Sequence, residues 1–139
     1  MITQAVLLAT GGTGDEIPAL ARVAGLTILK RMVLTLGRGG ITRITVVAAR
    51  AVAALRSAVD GDSDYAKAGL AVEVVASPEA SSGAPAELLR AARDRIAGPF
   101  LLATVDRCFE VAVVRQLVAA DLAPAAVQTG TALGRELGV

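Results

Sequence analysis

The stretch Ala5-Val6-Leu7-Leu8-Ala9-Thr10-Gly11-Gly12-Thr13-Gly14 decides the fold. Five apolar residues in a row, ended by glycines, predict a buried strand followed by a tight turn. Glycine adopts positive φ without a side-chain clash, so Thr10–Gly14 can present backbone N–H groups to a phosphate. An ordinary strand-to-helix turn is the competing reading of the same residues.

Working outward, helix-like and strand-like segments alternate. Leu26–Leu36 is apolar at Ile28, Leu29, Met32, Val33 and Leu36, with Lys30 and Arg31 between, which is the spacing of an amphipathic helix. Gly37, Gly39 and Gly40 end it. Ile41–Ala48 predicts a second strand, Ala51–Val59 a helix and Asp60–Asp64 a polar loop. Leu70–Ala76 predicts a third strand, Ser77–Gly83 a loop, and Ala84–Ile96 a helix that tolerates Pro85 in its first turn. Phe100–Val105 predicts a fourth strand, Val111–Ala120 a helix and Ala125–Gln128 a short further strand. The order implies a single α/β domain over residues 1–139, a three-layer Rossmann-like fold with a mostly parallel sheet and helices on both faces. Such sheets bind ligands beyond the C-terminal ends of their strands, where both the glycine loop and Asp106 fall.

Composition excludes several classes of chemistry. The 139 residues carry 14 Lys and Arg against 13 Asp and Glu, and aromatics are only 2%. That is no nucleic-acid surface, which needs clustered cations and stacking rings. With no His and only Cys108, a His/Cys zinc site, a Ser-His-Asp unit and an intrachain disulfide are all excluded. A metal would be held by carboxylates and water, which points to Mg²⁺ or Mn²⁺. Asp60, Asp62 and Asp64 lack the Gly and Glu spacing of a calcium loop and read as a solvated turn. No apolar run nears the roughly 18 residues of a membrane span. The expectation is a soluble cytoplasmic domain that does not itself enter the membrane.

Three families share the look of the glycine loop. Dinucleotide folds keep Gly-x-Gly-x-x-Gly and run straight into a helix, whereas here the spacing differs and Pro18 intervenes. The Thr-Gly-Gly-Thr-Gly loop of molybdopterin-binding proteins looks similar to Thr10–Gly14, but there it lies well inside the domain. The third likeness extends along the chain. Leu7-Leu8-Ala9-Thr10-Gly11-Gly12-Thr13-Gly14, Pro18, Val23-Ala24-Gly25-Leu26-Thr27-Ile28-Leu29, Gly40-Ile41, Glu73-Val74-Val75, Ser82-Gly83-Ala84-Pro85-Ala86-Glu87 and Phe100–Asp106 follow in order. Over residues 3–120 this series resembles a cytidylyltransferase-like, MobA-like nucleotidyltransferase domain.

The resemblance implies that Leu8, Ala9, Thr10, Gly11, Gly12, Thr13 and Gly14 cradle a triphosphate. It places Ser82 and Gly83 near the base and Mg²⁺ on Asp106. It implies CTP or another NTP as ligand. The chain also departs from the pattern. The family's loop Arg falls at Asp15 or Glu16, and its Lys falls at Ala19. Fixed cations supply much of the stabilisation in phosphoryl chemistry, so their loss implies weak or absent transfer. Arg22 is a nearby substitute. Degenerate domains of this look are fused to membrane CDP-alcohol phosphotransferases of phospholipid biosynthesis, on the cytosolic side. The resemblance thus implies such a partner, with an active transferase as the alternative, and homo-oligomerisation is open to either.

Overall fold

A computed structural model describes residues 2–10, 17–77, 85–105 and 110–119. Its centre is a four-stranded parallel sheet. Strand β1 (Gln4–Ala9) pairs on one side with β4 (Arg43–Ala48) and on the other with β6 (Leu101–Thr104), while β5 (Ala71–Ala76) pairs with β4. The spatial order is therefore β5-β4-β1-β6. The decisive apolar run is the central strand, with Leu7 and Leu8 fully enclosed.

Alternation along the strands sorts side chains onto two faces. Ala5, Leu7, Ala9, Ile44, Val46 and Ala48 join one core cluster with helix α1 (Ile28–Arg38), α2 (Val52–Asp60) and α5 (Val111–Ala119). Val6, Leu8 and Val47 form the other with Leu88 and Ala92, from α4 (Pro85–Ala91) and the residue after it. Helices thus lie on both faces, and the three-layer α/β class is as the sequence implies.

Helix α1 buries Leu29, Met32, Val33 and Leu36, the stripe expected from the spacing. It begins two residues later than predicted. Leu26–Thr27 instead forms strand β3, antiparallel to β2 (Arg22–Val23), with a tight turn at Ala24 (φ 50°) and Gly25 (φ 84°). Two successive positive φ angles are the type I′ geometry that matches strand twist. Thr27 then caps α1, its hydroxyl oxygen accepting from the Lys30 backbone N–H at 3.1 Å.

Other boundaries moved for identifiable reasons. Pro18 does not simply interrupt a helix; it opens a 3-10 turn over Pro18–Leu20. Asp60–Asp64 is mostly exposed, as expected, but it joins two helices closely instead of forming one loop. Asp60 ends α2, and Asp62 caps α3 (Ser63–Lys67), its carboxylate accepting from the Asp64 N–H at 2.9 Å. The predicted helix 84–96 is split into α4 and a 3-10 turn at Arg93–Arg95. The expected strand at Ala125–Gln128 lies outside the described residues. No described helix is long and apolar enough to cross a membrane.

Candidate nucleotide site at the C-terminal edge of the sheet

Parallel register brings the strand ends together. Ala9 pairs with Ala48, and Ala48 with Ala76. Just beyond, the Ser77 N–H donates to the Ala48 carbonyl at 2.9 Å, and the Val105 N–H donates to the Leu8 carbonyl at 2.9 Å. Thr10, Ser77 and Val105 therefore stand along one edge, the edge where α/β sheets bind ligands. These three residues are also the points from which the chain continues into 11–16, 78–84 and 106–109.

Of the sequence-predicted site residues, Leu8, Ala9 and Thr10 are described. Leu8 and Ala9 have their side chains in the two core clusters. Leu8 also uses its carbonyl in the sheet, so both act as the frame of the edge. Thr10 is half-buried at the exit. Gly11, Gly12, Thr13, Gly14, Ser82, Gly83 and Asp106 lie outside the described residues, as do Asp15 and Glu16. Asp106 follows Val105 directly, and Val105 is fully enclosed at the end of β6.

Position 19, where the resemblance places a lysine, is Ala19, 0% exposed and packed in the same cluster as Ile17 and Leu29. It offers no cation to the edge. Arg22 is the substitute suggested by sequence, but its Nη1 donates to the Gly25 carbonyl at 3.3 Å, across the hairpin turn. Arg31 braces the same hairpin, donating to the Val23 carbonyl through Nε at 3.1 Å and Nη2 at 2.6 Å. Lys30 is paired with Asp62 at 2.9 Å and Asp64 at 2.7 Å. Its hydrogen bonds to Asp64 and Asp62 raise its pKa well above the ordinary lysine value, and Lys30 holds Asp64 below the usual carboxylate range. Burial pushes the nearby Tyr65 hydroxyl up to about 12, so it stays neutral. Asp62 and Asp64, two of the three acidic residues of this segment, thus serve as a clamp on α1.

The exit of β4 carries a further cation. Arg50 lies two residues past the end of β4 and is exposed. The next residue, Ala51, has left-handed backbone at φ 54° and ψ 29° and starts α2 without a side-chain cap. For an alanine that conformation costs roughly 1–2 kcal/mol.

No His, Cys, Asp or Glu cluster of three is present among the described residues.

Among solved structures the fold is similar to a nucleotidyl transferase from Methanothermobacter, with TM-score 0.62 and 23% identity over 85% of this chain. The fold is nucleotidyltransferase-like. Rv0371c from Mycobacterium tuberculosis is similar at TM-score 0.62 and 22% identity, over 85% of this chain. A manganese complex of Rv0371c matches at TM-score 0.59, 23% identity and 84% coverage. The chain spans 56%, 60% and 57% of those three chains. No protein-family model and no curated protein matches the sequence.

Proposed function

We propose that this chain is a nucleotidyltransferase-like domain that holds a nucleotide weakly and transfers it poorly. In this reading it is the extramembrane partner of a CDP-alcohol phosphotransferase in phospholipid biosynthesis. The observation that carries the catalytic half is Ala19. A nucleotidyl transfer builds charge on phosphate oxygens, and preorganised cations are the main source of stabilisation. At position 19 the side chain is enclosed by the core and uncharged, and the loop itself adds Asp15 and Glu16. The nucleotide half is supported by the shared edge of Thr10, Ser77 and Val105. There the backbone of Thr10–Gly14 would meet phosphate, Ser82 and Gly83 the base, and Asp106 a Mg²⁺ that neutralises phosphate charge. The phosphotransferase partner rests on the sequence resemblance.

A second reading is favoured by the manganese complex of the similar Rv0371c structure. The chain would then be an active, divalent-metal-dependent transferase. An acceptor phosphate oxygen attacks the α-phosphorus of CTP in line, the bond to the β-phosphate oxygen breaks, pyrophosphate leaves, and CMP is joined to the acceptor.

Calorimetry with CTP and Mg²⁺, against ATP, GTP and UTP, tests the first reading. The expected result is metal-dependent binding at about 0.1–1 mM, lost in Asp106→Ala, with no pyrophosphate released on adding phosphorylated alcohols. Absence of binding at millimolar nucleotide would overturn it. Steady pyrophosphate release would replace it with the second reading. The partner is tested in the parent reading frame and its neighbours: finding no membrane-spanning phosphotransferase there refutes that part alone.

A further inference from the structure

We propose that the N-terminal edge of the sheet is a cationic face that docks on an anionic lipid surface without entering it. The proposal goes beyond the reading above and stands without its nucleotide and phosphotransferase parts. In the sequence the cations look dispersed, but the topology gathers them. Parallel strands all begin at one edge, and the crossovers between them must return there. Arg38 is the last residue of α1, Arg43 the first of β4 and Lys67 the last of α3, shortly before β5. Arg93 and Arg95 bound the 3-10 turn that leads toward β6. Contacts between the elements hold them to that edge. The Thr42 N–H donates to the Thr3 carbonyl at 2.8 Å, and the Ala71 N–H to the Thr42 carbonyl at 2.9 Å. Gln4, the first residue of β1, donates through Nε2 to the Ala97 and Pro99 carbonyls.

All five cations are exposed. Two described acids, Glu73 and Asp94, share their end of the sheet, and Glu73 is paired with Arg95 at 2.6 Å. Asp62 and Asp64 are set back from it. They meet Lys30 in the first turn of α1, whereas Gly37 in its last turn lies against Leu70, next to the start of β5. Asp60 precedes them at the end of α2. Among the described residues no ion pair takes up Arg38, Arg43 or Arg93. A helix C-terminus favours a cation and accounts for Arg38. It does not account for Arg43 at the start of a strand, nor for Arg93.

The residues between the cations decide the partner. Thr3, Thr42, Ala97, Gly98 and Pro99 are exposed and small. A protein interface is built around a buried aromatic or aliphatic anchor, and nucleic-acid strands are held by stacking rings. This edge offers neither. The exposed large apolar residue of the described chain is Val23, on the hairpin before the start of α1. A plane of lipid phosphates needs no pocket and no anchor, only several cations facing it together. Arginine suits that role, because its planar fork matches phosphate oxygens and stays charged. With no helix to cross the bilayer among the described residues and no apolar anchor, adhesion is electrostatic and reversible. Thr10, Ser77 and Val105, at the opposite edge, stay open to solution when the chain is docked this way.

The test is co-sedimentation of the whole 139-residue chain with vesicles of phosphatidylcholine mixed with phosphatidylglycerol, and with phosphatidylcholine alone, at low and at high salt. The chain should sediment with the mixed vesicles only and be released as salt rises. Arg43→Gln and Arg93→Gln should each weaken binding about fivefold, the worth of one cation near an anionic membrane surface. Arg43→Lys should bind like wild type, and Asp94→Asn should bind more tightly, a gain that lost folding cannot produce. Arg56→Gln and Arg115→Gln make the same charge change in the middle of α2 and α5 and should bind within about twofold of wild type. If the Arg43 and Arg93 variants bind no more weakly than these two, the proposal is overturned. It is overturned as well if wild type ignores the mixed vesicles, and capture of polyglutamate instead would assign the edge to an acidic protein. Tighter binding to duplex DNA at equal phosphate concentration would assign it to nucleic acid. CTP binding is unaffected by any of these outcomes, so the nucleotide reading is tested separately.

Discussion

Lys30 shows how one side chain can serve two elements. It leaves the first turn of α1 and meets Asp62 and Asp64, which bracket the start of α3. Its hydrogen bond holds Asp64 below its ordinary 3.8, so the pair's contribution is complete above that value and fades as pH falls through the lowered folded pKa. On the alkaline side Lys30 is raised from 10.5. Its contribution is complete below 10.5 and disappears only as pH rises through a higher value still. Between these limits the pair adds a constant amount, and a small one, since exposed pairs contribute little. Lys30→Met should therefore melt close to wild type at neutral pH. In acid scans below pH 3.8, wild type should lose melting temperature more steeply than the variant. Parallel acid limbs would refute the coupling.

At the scale of elements, α1 and α5 meet where glycine removes a side chain. A Cβ built on Gly39 would sit 2.2 Å from Val114 Cγ1, and one on Gly37 2.9 Å from the Leu70 Cδ atoms. Leu70 is the end of a flexible side chain, but Val114 is branched next to its backbone and cannot retreat cheaply. Gly39→Ala should cost about 1–3 kcal/mol in urea unfolding, the usual range for overpacking. A cost below the error of extrapolation would mean that α5 slides instead. Such contacts explain which parts of the fold were legible in the sequence. The four strands and the apolar stripe of α1 follow from periodicity, a property of neighbouring residues. The Arg22–Thr27 hairpin did not, because two-residue strands carry no period and Ala24 is an unusual choice for positive φ. The break at Ala92 in the predicted helix 84–96 did not either, since alanines and arginines favour helix on both sides of it. For the site, the strand ends were placed by pattern, whereas the clamp role of Asp62 and Asp64 depends on Lys30, more than 30 residues away, which spacing cannot reveal.

Across the whole molecule, β1 has neighbours on both sides and β5 is an edge. Leu7 is fully enclosed, while Val72 on β5 is half-buried. Leu7→Ala should cost about 2–5 kcal/mol, including a cavity that central packing cannot collapse. Val72→Ala should cost about 1 kcal/mol. Equal costs in urea titration would show that the edge is covered in solution, as homo-oligomerisation would do, and light scattering would then report a particle larger than one chain. Beyond β6, α5 packs on the face of α1, so the described sheet is asymmetric, with most helical cover on one side.

The central position of β1 also has a cost during synthesis. Ala5 pairs with Leu101, 96 residues further along the chain. At roughly 5–20 residues per second, a ribosome needs about 5–20 s to deliver that partner. Over that interval one flank of the most apolar strand has no neighbour. Slowing translation before Leu101 should therefore increase aggregation even though the finished fold is unchanged.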